Sequence, residues 1–117
     1  MIITQAGSPY FATKAYECID KTIADSGFTT AKLHNQVISM GEWGWILGSK
    51  QNISKKTLKT RLQSLNFDNT NWINKEAMQL ITSFGKDFYK TKDSIEVNRV
   101  HNPILYKYYL KGNWDLY

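Results

Sequence analysis

The sequence predicts a single α/β domain spanning residues 1–117. Three observations carry this: an apolar opening run that leads through a turn into helix-period spacing, two strand-like runs joined by a tight connection, and a second half that returns to helical spacing. Met1–Thr4 is short and apolar, the mark of a buried strand, and Gln5-Ala6-Gly7-Ser8-Pro9 follows as a turn. Ser8 suits a helix cap, and Pro9 suits the first helical position, where a missing N–H has no partner to lose. A helix is expected over Pro9–Ser26, with Phe11, Ala15, Cys18, Ile19 and Ile23 forming one apolar face at three- and four-residue steps. Gly27 then stops it, as glycine does just past a helix.

Thr30–Ile38 and Glu42–Ser49 read as strands, and Ser39-Met40-Gly41 is short enough to join them antiparallel. Trp43, Trp45 and Leu47 then face one way, and Gly44, Ile46 and Gly48 the other. The bare glycines invite close approach by a helix, a ligand or another backbone. Ser54 caps an expected helix over Lys55–Leu65, whose narrow stripe is Leu58, Leu62 and Leu65. Beyond the polar loop Asn66–Asn71, a third helix over Asn74–Phe84 turns Ala77, Met78, Leu80, Ile81 and Phe84 inward, and Gly85 closes it. Ser94–Val100 is extended, Asn102-Pro103 opens a last short helix through Leu110, and the aromatic tail Gly112–Tyr117 packs. There is no internal repeat, low-complexity stretch or linker to mark a second domain.

Composition narrows the function. Hydrophobic residues at 42% and aromatics at 14% suffice for a packed core. No apolar run approaches the roughly 20 residues that span a bilayer. The start lacks a basic segment followed by an apolar one, so no secretory signal is read and a cytoplasmic location is expected. One cysteine, Cys18, excludes an internal disulfide framework and a multi-cysteine metal site; on the apolar helix face it reads as a small buried residue rather than a nucleophile. His34 and His101 have no carboxylate or cysteine at ligand spacing, Ser8 has no histidine or acid nearby in sequence, and no phosphate-cradling glycine loop is present. The net charge of +5 is spread from Lys14 to Lys111, with a modest concentration at Lys50, Lys55, Lys56, Lys59 and Arg61. A solvated amphipathic helix accounts for that concentration, and phosphate contact by nucleic acid is its lesser reading. Gly41-Glu42-Trp43-Gly44-Trp45 has two readings: a wall whose aromatic faces hold a cation beside a carboxylate, or a strand whose tryptophans are core.

Four segments, taken in order, resemble one family. Thr4-Gln5-Ala6-Gly7-Ser8-Pro9-Tyr10-Phe11 is similar to the stretch that leaves the fifth strand of spermidine synthases. Gly27-Phe28-Thr29-Thr30 looks like the family's helix exit and next strand. Ser39-Met40-Gly41-Glu42-Trp43-Gly44-Trp45 is similar to the S-F-G-E-W-G-F string of the bacterial spermidine-synthase-like branch, many of whose members carry an N-terminal membrane domain. Glu96-Val97-Asn98-Arg99-Val100-His101-Asn102-Pro103-Ile104-Leu105 resembles that branch's C-terminal V-N-R-x-x-N-P-V-L signature, with Tyr108-Tyr109 after it.

The resemblance implies a C-terminal piece of an aminopropyltransferase, truncated or split. Its fold would be part of a Rossmann-like methyltransferase sheet: one parallel strand, a helix, an antiparallel strand pair, and additional C-terminal helices. Such a parent binds decarboxylated S-adenosylmethionine and uses a catalytic aspartate, and both sites lie N-terminal to the matching segment. No cofactor site and no catalytic residue is therefore expected here, nor activity of this chain alone. The polyamine wall implied by the resemblance is Gln5, Met40, Glu42 and Trp43. Met40 departs from the family's hydroxyl-bearing tyrosine, which weakens the expected amine recognition. The location implied is cytoplasmic, or the cytoplasmic side of a membrane where the parent is fused to one. Partners follow from the open first strand: a homodimer, or a chain carrying the missing half. A non-catalytic scaffold module that self-associates, and nucleic-acid contact through residues 55–61, stand as the alternative functions.

Overall fold

The computed structural model describes residues 1–39, 41–65, 69–84 and 95–112. The chain forms β1 (Ile2–Gly7), α1 (Thr13–Asp25), β2 (Thr29–Val37), β3 (Gly41–Ser49), α2 (Lys55–Gln63), α3 (Lys75–Ile81) and α4 (Ile104–Leu110). Its three-stranded sheet has the order β1-β3-β2 with both pairings antiparallel. β1, expected as the one parallel strand of this piece of a larger sheet, thus runs in the same direction as β2 and is antiparallel to β3, its one strand neighbour among the described residues.

Side-chain alternation along β3 sorts the core into two layers. Leu47 and Trp45 face α2 and α3, packing with Ala31, Leu33, Leu58, Met78 and Ile81. Ile46 faces α1, where it meets Ala6 and Tyr16, with Ile19 and Ile23 alongside. The expected close approach over Gly44 is made by a helix: a Cβ there would stand 2.4 Å from Tyr16 Cε2. On its far side α1 sets Ala12, Ala15 and Cys18 against Ile95 and Tyr108. The apolar face of α1 therefore divides between the sheet and α4.

Element ends differ from the sequence reading for local reasons. Ser8 Oγ accepts from Phe11 N at 3.2 Å, and Thr13 Oγ1 donates to Pro9 O at 2.6 Å. Pro9–Ala12 is consequently a capped turn, and with Ala12 at φ −131° the helix begins only at Thr13. Gly27 ends the segment at φ +96°, as anticipated. Ser54 caps α2 by accepting from Thr57 N, and Asn74 caps α3 by accepting from Ala77 N at 2.8 Å. Leu65 and Leu80, expected inward, are exposed. α3 ends at Ile81, and Phe84 packs beyond it. The expected roles of Gly85, Ser94 and the tail 113–117 lie outside the described residues.

The V-N-R-x-x-N-P-x-L segment is a stitch between α1 and α4. Asn98 N donates to Thr22 Oγ1 at 2.9 Å, while Asn98 Oδ1 accepts from Leu105 N at 3.1 Å in the first turn of α4. Arg99 pairs with Asp25 at 3.4 Å, and Lys21 Nζ donates to Ile95 O at 2.6 Å. No helix among the described residues is long and apolar enough to cross a membrane.

Candidate functional site

Because β1 and β2 run the same way on either side of β3, their carboxyl ends meet the start of β3 at one end of the sheet. Ligands of open α/β sheets gather outside the carboxyl ends of strands. Gln5 stands opposite Trp45, with a register irregularity between Gln5 and Gly7; Trp43 stands opposite Asn35, and Glu42 opposite Gln36. The expected wall residues Gln5, Glu42 and Trp43 thus share this end. They do not share a face. Gln5 and Trp43 lie on the side of Trp45, whereas Glu42 lies with Gly44 on the α1 side. Met40 lies outside the described residues.

Glu42 has a partner that sequence spacing did not reveal. His34 opposes Gly44, one pleat along from the Gln36–Glu42 pair, so His34 and Glu42 are diagonal neighbours on one face. His34 Nδ1 and Glu42 Oε1 are 2.5 Å apart, and His34 Nε2 contacts the Ser83 carbonyl. Both groups facing the ring are acceptors, a carboxylate at Nδ1 and a backbone carbonyl at Nε2. Phe84 packs on the imidazole at 4.5 Å between centroids, and Tyr10 meets it edge-on at 5.8 Å. Four segments converge here: the turn after β1, β2, β3 and the stretch after α3. Eight residues separate His34 from Glu42 in sequence, a distance that reads as nothing until the hairpin register is known.

A second polar cluster lies along β2 and differs in character. A pocket of about 60 Å³ is lined by Thr30, Lys32, Lys55, Lys59 and Thr82, among others. Lys32 Nζ donates to both oxygens of buried Glu17, at 2.6 and 2.9 Å. Lys55 Nζ donates to Thr30 Oγ1 at 2.9 Å and lies 3.8 Å from the buried Asp20 carboxylate. Of the three lysines on this small pocket, Lys32 and Lys55 are thus matched by buried carboxylates of α1. Burial pushes the Cys18 thiol above its ordinary pKa, outweighing the hydrogen bonds from Thr22 and Asn98, which is the reverse of what a nucleophile needs. Among the described residues, no three His, Cys, Asp or Glu side chains come together to hold a metal ion.

Known proteins place this arrangement in context. No protein-family model matches the chain. A polyamine aminopropyltransferase of Leptospira interrogans is 37% identical over 106 residues, covering 90% of this chain and 19% of the relative. Polyamine aminopropyltransferase 2 of Ralstonia nicotianae is 30% identical over 109 residues, covering 93% and 20%. The corresponding protein of Oceanobacillus iheyensis is 30% identical over 118 residues, covering 99% and 22%. The chain spans about one fifth of the length of the curated relatives it matches.

Proposed function

Because this chain belongs to the spermidine-synthase-like polyamine aminopropyltransferases, as a segment about one fifth of their length, we propose that it builds the amine-facing wall of such an enzyme and transfers no aminopropyl group by itself. The observation that carries the reading is near-complete coverage of this chain by relatives of which it covers so little.

The reaction is attack of a primary amine on an activated propyl carbon. An amine that is an ammonium in water must be drawn in by negative charge, oriented and relieved of a proton. In this reading Glu42 supplies the charge, held in place by His34. Trp43 and Gln5 stand on the other face of the same sheet end, so in this reading they bound the far side of the amine's entry rather than share the carboxylate's face. The described residues do not fit decarboxylated S-adenosylmethionine on their own: Glu17 and Asp20 are turned toward lysines, and Tyr109 lies 3.2 Å from where a Cβ on Gly7 would sit. No step is therefore derived through that group, and its site is assigned to the part of the family that this chain does not match.

The test is a transplant. The matched residues replace their counterpart in the Leptospira interrogans relative, and aminopropyl transfer is measured for the chimera and for the 117-residue chain. We expect transfer by the chimera and none by the chain alone. Glu42→Gln in the chimera should raise KM for the amine roughly tenfold, the loss of a charged hydrogen bond. Transfer by the isolated chain, or a folded but inactive chimera, would overturn the reading.

A further inference from the structure

We propose that the pocket along β2 binds a phosphoryl oxyanion, held by the ammonium groups of Lys55 and Lys59 together with buried Lys32. This site is separate from the amine-facing wall and does not rest on that reading. Its lining includes Thr30, Lys32, Lys55, Lys59 and Thr82, and no acidic side chain lines it among the described residues.

Two elements bring the lysines to one place. Thr30 and Lys32 are two apart on β2 and so share a face. Lys55 and Lys59 stand one turn apart on α2, the spacing that sets side chains side by side. The Lys32 side chain is only 4% exposed, so water screens its charge little.

The charges at the pocket do not balance. Glu17 takes Lys32 at 2.6 and 2.9 Å, and the Asp20 carboxylate stands 3.8 Å from Lys55. For Lys59 no carboxylate lies within ion-pair reach among the described residues. An oxyanion supplies that counter-charge and accepts charge-assisted hydrogen bonds from several ammoniums at once. Thr30 Oγ1 accepts from Lys55 at 2.9 Å, a role that leaves the hydroxyl's own proton to donate. Size selects the ligand further. The pocket offers about 60 Å³, and a water-sized group needs about 10–15 Å³ of such space. A small tetrahedral group enters; a whole nucleotide does not.

The full 117-residue chain is titrated with inorganic phosphate and, separately, with phosphoserine, against chloride of matched ionic strength. Saturating phosphate should raise the thermal midpoint by about 3 °C or more over chloride. Saturation by both ligands assigns a phosphoryl group carried on a larger molecule, and saturation by inorganic phosphate alone assigns the free ion. Lys59→Met should weaken phosphate binding roughly tenfold, the loss of one charged hydrogen bond. Lys56→Met removes the same charge from the next position of α2, outside the pocket lining, and should leave the affinity unchanged. Phosphate no better than chloride, or Lys56→Met as harmful as Lys59→Met, would overturn the proposal. If Lys59→Met fails to fold, amide shifts of the natural chain decide. Saturable shifts at Thr30, Lys32, Lys55 and Lys59 support the site, and shifts that are scattered or grow without saturation refute it.

Discussion

Gly44 is where the sheet and α1 come closest. Tyr16, fully buried, lies across it, and its hydroxyl donates to Leu33 O at 2.9 Å and Trp45 O at 3.2 Å. A Cβ at Gly44 would stand 2.4 Å from the Tyr16 ring and 3.1 Å from Gly7 O, so the ring must move and pull its hydroxyl off both carbonyls. Gly44→Ala should cost about 1–3 kcal/mol, as overpacking does, and lower the urea midpoint accordingly. An unchanged midpoint would mean the ring has room. At Cys18, burial chiefly raises the thiol pKa, and the Tyr109 phenol is raised likewise by burial and then by the thiol's charge. A raised folded value means the stabilisation is complete below the unfolded thiol's pKa and lost as pH rises through the folded one. Stability should therefore fall on the alkaline side. Cys18→Ala should flatten the first part of that fall and leave the part due to Tyr109, as followed by denaturant midpoints against pH. Alternation along Gly41–Ser49 made the open face over Gly44 legible in the sequence. Tyr16 was not, because three- and four-residue steps picked out the aliphatic positions of α1 and passed over the phenol between them. Buried Glu17 was also hidden, since its Lys32 partner is supplied by a strand whose placement no local pattern encodes.

Caps and stitches decide how the elements end and dock. Asn74 accepts from Ala77 N at the start of a helix only seven residues long. A helix that short owes little to propagation and much to its ends. Asn74→Ala should cost about 1 kcal/mol, a typical value for a lost side-chain cap, measured as a shifted thermal or urea midpoint. The same logic separates expectation from outcome at α1. Ser8-Pro9 is a genuine start signal, yet Ser8 caps a turn and Ala12 leaves helical geometry before Thr13 begins the helix proper. A cap read from sequence marks where a chain turns; whether four residues or eighteen follow depends on what packs above them. Here β1 and Tyr109 crowd the same space. For the candidate site, Glu42 and Trp43 were legible through their string on the hairpin. His34 was not, because only the register of β2 on β3 makes it Glu42's neighbour.

At the scale of the whole molecule, the sheet sets a gradient of stability. β3 bonds to strands on both sides, from Ile2↔Gly48 to Gly7↔Gly44 along one ladder and from Thr29↔Ser49 to Val37↔Gly41 along the other. Its amides cannot open without breaking a ladder flanked by core on both faces, so they exchange through the largest opening the chain allows. Among the described residues β2 also has one strand neighbour, yet its Ala31 and Leu33 are buried in the cluster under α2 and α3. β1 has neither advantage over its first half, with exposed residues from Met1 to Gln5 and a single strand partner among the described residues. Hydrogen exchange in dilute solution should therefore rank the strands β3 slowest, β2 next and β1 fastest. Exchange in β1 as slow as in β3 under those conditions would mean that the first strand is held by something other than the sheet described here. The ranking bears directly on the aminopropyltransferase reading. Gln5 lies on the strand expected to exchange fastest, whereas Glu42 lies on the slowest and is braced by His34. The carboxylate side of the proposed amine site is thus the more firmly held of the two, because its strand is laddered on both sides, while the Gln5 side rests on one ladder among the described residues.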